Sequence, residues 1–204
     1  MSSRIEQPYE FDNDELLLIE NNFVIHEDWD KNIFSGLKTK IRDDLRPKQN
    51  NKCCYCKKEL GHDIKEVDIE HIIPKATYPN FTFTPKNLAL SCQGCNTIKG
   101  DKPVLSKTIV RHPSHSKHHT IVHAHYDIYE KHILIHNGCV FEAISKRGSH
   151  TITVCQLFRL KIVEKKAKES LKNKSKESEL INLIMNASKE ELTDAMTELM
   201  KRIK

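Results

Sequence analysis

The chain has 204 residues, of which 38% are hydrophobic, so it can bury one sizeable core with irregular extensions rather than two equal domains. No apolar run approaches the roughly 20 residues of a membrane helix, and the first residues lack a basic region followed by an apolar signal core, so we expect a cytoplasmic protein with no membrane partner. Seven cysteines then argue against a disulfide framework and for a metal site wherever their spacing fits.

The net charge of +5 conceals a strong asymmetry along the chain. Residues 5–30 contain no Lys or Arg but hold these acids: Glu6, Glu10, Asp12, Asp14, Glu15, Glu20, Glu27, Asp28 and Asp30. Between Thr97 and Tyr126 the only acid is Asp101, and the stretch from Arg159 to Lys176 is again strongly basic. The basic part suits a polyanion such as nucleic acid, although a basic surface taken alone is more often just a solvated face.

Residues 1–50 are predicted to form an acidic leader and an N-terminal helix. Asp30 is the predicted cap of that helix, and Pro47 its predicted end. The apolar positions with helical spacing are Ile33, Phe34, Leu37, Ile41 and Leu45. The leader could dock on a partner or fold over the active face, and the sequence leaves both alternatives open.

Residues 51–105 alternate short strand-like runs with turn residues and hold most of the candidate chemistry. Two C-x-x-C pairs, Cys53 with Cys56 and Cys92 with Cys95, supply four thiolates that can surround Zn²⁺ at about 2.3 Å. On the cysteines alone, a structural zinc ribbon without chemistry is the favoured interpretation. The remaining thiols, Cys54, Cys139 and Cys155, are predicted to be packed in the core.

Polar residues lie unexpectedly close together between the two pairs. The run Asp68-Ile69-Glu70-His71 is typical of a strand whose apolar residues are buried while Asp68 and Glu70 stay accessible. Asp68 could orient a ligand or cap an exposed edge, and we favour the cap. Asn87 precedes a second apolar strand, and the second C-x-x-C pair leads directly into Asn96, so a zinc ion would tie these segments together.

Residues 106–204 are predicted to contain a basic, histidine-rich connector, a β-hairpin and C-terminal helices. The hairpin is centred on Asn137-Gly138, a favoured tight turn, and a helix is expected from Thr151 to about Leu171. A last helix opens at a Ser188–Glu191 capping box and carries an apolar stripe. We favour docking of that stripe on its own domain, with self-association or a partner protein as alternatives. The histidines of the connector are predicted to lie in a solvated loop rather than to form a second metal site. This histidine tract consists of His112, His115, His118, His119, His123 and His125.

The ordered pattern C-x-x-C, E-H-x-x-P, N-L and C-x-x-C-N-x-x-K, spanning residues 53–99, resembles the HNH endonuclease motif and its ββα-metal fold. The resemblance implies an α+β chain with His71 as general base, Glu70 and Asn96 as ligands of a catalytic Mg²⁺ or Mn²⁺, and Asn87 as a brace of the loop. The chain departs from the common pattern in two places. Glu70 stands where Asp is common, and Asn96 stands where many members have a final His.

The arrangement IEHIIPK with NLALSCQGCNTIKGDKP, followed by a hairpin and T-I-x-V-x-x-L, also resembles the PtuB-like HNH proteins of anti-phage Septu and retron systems. That resemblance implies an ATPase partner. The sequence therefore predicts a metal-dependent nuclease that cuts nucleic acid, with DNA favoured, and the alternative is a zinc-stabilised nucleic-acid-binding module without catalysis. The residues predicted to contact nucleic acid are Lys99, Lys102, Arg111 and Lys117.

Overall fold

A computed structural model describes residues 4–61, 63, 66–136, 138 and 140–159. The contacts divide the chain into two units, Met1–Phe158 and Arg159–Lys204, and nearly all described residues belong to the first. The predicted C-terminal helix with its capping box at Ser188 lies outside the described residues. Within the described part of the chain, no helix is both long enough and apolar enough to cross a bilayer.

The acidic leader contains a helix, α1 (Asn13–Asn22), that the sequence analysis did not predict. Asp12 and Glu15 form a capping box, in which each side chain accepts a hydrogen bond from the backbone N–H of the other. The Glu15 carboxylate is buried and also accepts hydrogen bonds from Tyr9 Oη at 2.9 Å and Lys40 Nζ at 2.8 Å. These contacts pack the leader against its own domain.

The second helix, α2 (Ser35–Lys48), buries Leu37, Ile41 and Leu45 at the spacing predicted from the sequence. Its ends differ from the prediction. A short 3₁₀ turn (Asn32–Phe34) separates Asp30 from the helix, so Asp30 is not the cap. Pro47 lies within the last turn rather than ending the helix before it, because a proline there removes a single backbone donor close to the C-terminus.

The motif region folds as two antiparallel strands followed by a helix. Strand β1 (Val67–His71) pairs with β2 (Leu88–Cys92), with Glu70 opposite Ala89 and His71 opposite Leu88. Helix α3 (Gln93–Lys99) follows β2 without a loop. Glu70 is buried, with 1% of its surface exposed, which corrects the prediction that it stays accessible. A buried carboxylate requires a partner, and Glu70 has one in Lys99.

The segment between β1 and β2 contains two 3₁₀ turns (Pro79–Phe81 and Pro85–Asn87) and the ring of Phe83. The centroid of Phe83 lies 5.1 Å from those of Phe23, Trp29 and Phe34. Trp29 in turn packs edge-on against His71, with 4.6 Å between ring centroids. The N-terminal residues thus form one wall of the environment of His71.

Strands β3 (Ile133–His136) and β4 (Val140–Ala143) form the predicted hairpin, although the turn residues Asn137 and Cys139 lie outside the described residues. Helix α4 (Lys146–Val154) begins before the predicted start at Thr151, because Ser145 caps it by accepting a hydrogen bond from the Gly148 N–H. A Cβ at Gly148 would lie 1.9 Å from the His132 carbonyl oxygen, so the helix can approach the hairpin only with glycine there. Two further 3₁₀ turns are Ser116–His118 and Tyr129–Lys131, and another, His26–Asp30, precedes α2.

Candidate active site and metal centre

The four cysteines of the C-x-x-C pairs converge as predicted. Their sulfur atoms all lie within 4.8 Å of one another, and the Sγ atoms of Cys56 and Cys92 are 3.8 Å apart. Sulfurs bound tetrahedrally at about 2.3 Å from one ion are about 3.8 Å apart, so the donor set fits a zinc ion. The other two thiolates come from Cys53 in the loop after α2 and from Cys95 in α3. The group therefore fastens that loop to the junction of β2 and α3.

Two of the remaining thiols, Cys54 and Cys155, do not belong to this group. Cys54 is buried beside it, and its backbone N–H donates to the Leu90 carbonyl. Burial raises the pKa of the Cys54 thiol well above its ordinary value, so this thiol stays protonated. Cys155 is also buried, as predicted, and Cys139 lies outside the described residues.

His71 is a buried, neutral imidazole at the end of β1. Its Nε2 atom lies 3.1 Å from the Thr82 carbonyl oxygen. Because a carbonyl oxygen can only accept, Nε2 carries the hydrogen and Nδ1 keeps its lone pair. Burial lowers the pKa of His71 to about 3, and the ammonium groups of Lys75 and Lys99 act in the same direction. The ring therefore holds an unprotonated nitrogen at neutral pH.

Glu70 is held by two buried donors. Its Oε1 atom accepts hydrogen bonds from Lys99 Nζ at 2.6 Å and from the Tyr55 hydroxyl at 3.0 Å. Burial raises the pKa of Glu70, and the Lys99 ammonium and the Tyr55 hydroxyl oppose this shift. Among the described residues, none donates a hydrogen bond to Oε2, so this oxygen is left for a further partner.

Asn96 is oriented by Asp68, a contact that the sequence analysis missed. Asn96 Nδ2 donates to Asp68 Oδ2 at 2.9 Å. A carboxylate only accepts, so this bond fixes which end of the amide is the nitrogen and leaves Oδ1 of Asn96 as a free acceptor. Asp68 thus has a partner in the site, whereas the sequence analysis favoured the cap of an exposed edge. The sequence did indicate this position, because residues 68 and 70 share one face of a strand and Asp68 therefore lies on the same side as Glu70.

Asn87 uses its whole side-chain amide on the backbone of the loop that follows β1. Its Oδ1 accepts from the Ile73 N–H at 2.7 Å, and its Nδ2 donates to the carbonyls of Ile73 at 3.0 Å and Phe81 at 3.1 Å. The residue is fully buried. This geometry suits the bracing role that the sequence resemblance implied.

The four basic residues predicted to contact nucleic acid occupy unlike positions. Lys99 is buried, with its ammonium bonded to Glu70 and, at 2.9 Å, to the His71 carbonyl, so it does not face solvent as a phosphate contact must. Lys102 donates to the Ile98 and Val154 carbonyls. Arg111 and Lys117 are exposed but do not line the cavity around His71.

That cavity has a volume of about 510 Å³ and brings together Asp68, Glu70, His71, Asn96 and Lys99. A slightly larger cavity of about 560 Å³ contains none of the predicted catalytic residues, so size alone does not identify the site. The cavity around His71 also exposes three cations that the sequence analysis did not select. These are Lys38, Arg42 and Lys75.

The histidine tract is more buried than predicted. His119, His123 and His125 are buried, and His123 stacks on Tyr126 with 4.2 Å between ring centroids. Burial lowers the pKa of both His119 and His125 to about 4, so these rings are neutral at pH 7. Among the described residues, the four cysteines remain the only acidic, histidine or cysteine group whose ligand atoms converge.

Comparison with known proteins places this geometry in a family. Residues 53–102 match the HNH endonuclease family model. The chain is 30% identical to the Septu protein PtuB of Bacillus thuringiensis over 155 residues, which is 72% of this chain and 55% of that protein. It is also 39% identical over 69 residues to the Retron Vc95 putative HNH endonuclease of Vibrio cholerae serotype O1 biovar El Tor, which is 32% of this chain and 33% of that protein.

The chain thus spans about half the length of the first relative and about a third of the second. No solved structure matches the chain. The matched range begins at Cys53 and includes all four cysteines, His71, Asn87 and Asn96. Motif, fold and family match agree, and residues 53–102 of this chain are an HNH endonuclease domain.

Proposed function

We propose that this chain is a metal-dependent nuclease that hydrolyses phosphodiester bonds of nucleic acid, with DNA as the favoured substrate. The observation that carries the proposal is the tautomer of His71. Its Nε2–H donates to the Thr82 carbonyl, which leaves Nδ1 as the basic nitrogen, and His71 lines the cavity that also contains Glu70 and Asn96. A fixed ring with one basic nitrogen is the requirement for a general base.

In this proposal, His71 takes a proton from the attacking water. General-base catalysis of this kind contributes roughly 10²–10⁴-fold to a rate. The Thr82 carbonyl holds the ring in place through Nε2 and stabilises the imidazolium that forms when Nδ1 accepts the proton. Trp29 packs against the ring and excludes water from that side, which keeps the base neutral before the reaction.

The oxygen donors suit a hard divalent ion. Oε2 of Glu70 and Oδ1 of Asn96 are the atoms that would hold it, and an all-oxygen set of few protein ligands favours Mg²⁺ or Mn²⁺. When bound, such an ion stabilises the charge that develops on the leaving oxygen. The zinc ion assigned to the four cysteines has a structural role in this proposal.

Neighbouring side chains orient both donors. Lys99 and Tyr55 occupy Oε1 of Glu70, and Asp68 occupies the amide nitrogen of Asn96. Such partners of metal ligands commonly contribute 10–100-fold to metal affinity or activity. Asn87 fixes the loop after β1 through three hydrogen bonds.

We further propose that the chain is the nuclease effector of an anti-phage defence system and works with an ATPase partner. Support comes from its similarity, over 72% of its length, to a Septu protein. Purification of the untagged partner together with the tagged chain from its native host tests this assignment. Recovery of the chain alone, under conditions that preserve other complexes, would contradict it.

Cleavage of plasmid DNA and of RNA with Mg²⁺, by the wild-type chain and by His71→Ala, tests the nuclease assignment. We expect the wild type to cut and the variant to lose cleavage. The variant should keep its zinc content, because the four cysteines hold the zinc ion and His71 does not contribute a ligand. Cleavage by His71→Ala at the wild-type rate would refute the role of this residue. Nucleic-acid binding without cleavage by either protein, with or without the partner, would favour a zinc-stabilised binding module.

A further inference from the structure

Besides the buried Lys99, three cationic side chains line the cavity around His71. Lys38 and Arg42 come from α2, and Lys75 follows the strand β1. We call these residues the cationic rim. None of them lies in the basic stretches that the sequence analysis associated with nucleic acid.

The packing of α2 decides which of its faces the rim occupies. Leu37, Ile41 and Leu45 are buried and fix the rotation of the helix against the sheet. Lys38 and Arg42 each follow a buried residue by one position and are four residues apart, so they lie together on the adjoining face. Like charges at this spacing repel each other and destabilise a helix slightly.

The rim residues form few ion pairs, although Asp30, Asp68 and Asp101 also line the cavity. Among the described residues, no carboxylate lies within salt-bridge distance of Lys38 or Arg42, and the Arg42 guanidinium donates only to the Thr39 hydroxyl. Lys75 lies 3.6 Å from Asp30, which is 72% exposed, so this pair is weak. Burial lowers the pKa of Lys38, and repulsion from Arg42 and Lys75 acts in the same direction, although Asp30 opposes it.

Cations that line a cavity with few close carboxylate partners attract an anion. The anion must be able to reach Glu70, His71 and Asn96, which line the same cavity. A polynucleotide backbone meets both conditions because its phosphates repeat along the chain and each one carries a charge. Arg111 and Lys117 lie outside the cavity and cannot contact phosphates beside the reacting one in this way.

We propose that the cationic rim binds the backbone phosphates that flank the phosphodiester at His71, and that it supplies most of the salt-dependent affinity of this chain for nucleic acid. The inference rests on the proposed nuclease function for the position of the reacting phosphate. Contacts of this kind read no sequence, so the rim gives affinity and position without base specificity.

Binding to a short fluorescent DNA duplex, measured by anisotropy across a series of salt concentrations, tests the rim. The host protein is the zinc-loaded full chain with His71→Ala, which prevents cleavage during the measurement. We expect Lys38→Gln with Arg42→Gln to weaken binding at least about tenfold and to reduce the slope of log affinity against log salt by about 2, since each phosphate contact contributes about 0.9.

The matched control removes two positive charges elsewhere, through Lys107→Gln with Lys146→Gln, both at exposed positions. We expect its affinity to stay within about twofold and its slope nearly unchanged. A third variant, Arg111→Gln with Lys117→Gln, represents the site favoured by sequence alone. Equal losses in the rim and control variants, a loss confined to the third variant, or no binding by the host protein would overturn the inference.

Separate measurements distinguish failure of the rim from failure of the nuclease assignment. Zinc content and the unfolding midpoint of each variant show whether the fold is intact, and only folded variants enter the comparison. If the wild-type chain binds DNA through the rim but never cuts it, the inference stands and the proposed hydrolysis fails. If it cuts DNA but the rim variant retains the salt slope, the hydrolysis stands and the inference fails.

Discussion

Replacement of Lys99 by methionine tests the buried ion pair on which the geometry of Glu70 depends. Lys99 Nζ lies 2.6 Å from Glu70 Oε1, and the two side chains are 2% and 1% exposed. Methionine fills a similar volume but leaves the carboxylate with the Tyr55 hydroxyl alone. Loss of one partner from a buried pair destabilises proteins by about 3–5 kcal/mol.

Protonation of Glu70 limits that loss. A carboxylic acid with an ordinary pKa near 4.3 is protonated at pH 7 at a free-energy cost of about 1.4 kcal/mol per pH unit, or about 3.7 kcal/mol. We therefore expect Lys99→Met to lower the free energy of unfolding by about 3–4 kcal/mol at pH 7. The folded variant then binds a proton that its unfolded chain lacks, so the loss shrinks as the pH falls toward 5.

Urea unfolding of the zinc-loaded chain, followed by the fluorescence of its single tryptophan, measures this effect. The reporter is well placed, because Trp29 packs against His71, whose carbonyl accepts a hydrogen bond from Lys99. Glu70→Gln combined with Lys99→Met is the matched control. We expect this double variant to recover about 2 kcal/mol or more, since no buried charge is left unpaired.

A small loss of stability in Lys99→Met that Glu70→Gln does not compensate would refute this reasoning. If Lys99→Met lowers the free energy of unfolding by less than about 1 kcal/mol, and Glu70→Gln does not compensate, the ammonium is exposed to solvent as in an ordinary surface lysine. Lys99 would then return to the role of a phosphate contact. The salt slope of DNA binding by Lys99→Met would be the measurement of that role.

Three further predictions concern the metal, the loop and the histidines. Cys92→Ala should abolish stoichiometric zinc in the purified chain by elemental analysis and lower its thermal midpoint, and full zinc content would contradict the assigned ligand set. Asn87→Ala leaves the Ile73 N–H and carbonyl unpaired, while the Phe81 carbonyl keeps the Thr84 N–H as its donor. At about 1–3 kcal/mol for each unpaired group we expect a loss of about 2 kcal/mol or more by urea unfolding; a loss below about 1 kcal/mol would show that water replaces the amide. The pKa values of His119 and His125 are lowered to about 4, so the free energy of unfolding should fall by roughly 2 kcal/mol for each histidine between pH 7 and pH 5. An unchanged thermal midpoint over this pH range would show that the rings are not buried.

The motif predicted the parts of the site that local chemistry determines. The C-x-x-C spacings were sufficient to bring the four sulfur atoms together, because tetrahedral thiolate coordination needs only two short loops. The alternation along the strand was less informative. It places Asp68 and Glu70 on one face, but burial of Glu70 depends on Lys99 and Tyr55, which come from other segments of the chain.

The buried position of Lys99 could have been inferred from helical geometry. Cys95 must face the other three sulfur atoms, and Lys99 follows it by four residues, so both lie on the same face of α3. Asn96 is offset by about 100° from Cys95, which turns it toward the cavity instead. Counting Lys99 among the exposed charges of a basic stretch overlooked this geometry.

The cationic rim required the tertiary structure. The apolar spacing of Leu37, Ile41 and Leu45 predicted the helix and its buried face, and so placed Lys38 and Arg42 beside that face. It could not predict that α2 crosses the sheet near β1, because non-local packing decides which side of a helix meets which cavity. Net charge by segment therefore did not predict which cations line this cavity: Arg111 and Lys117 are not among the lining residues, whereas a helix adjoining an acidic leader supplies two of the cations.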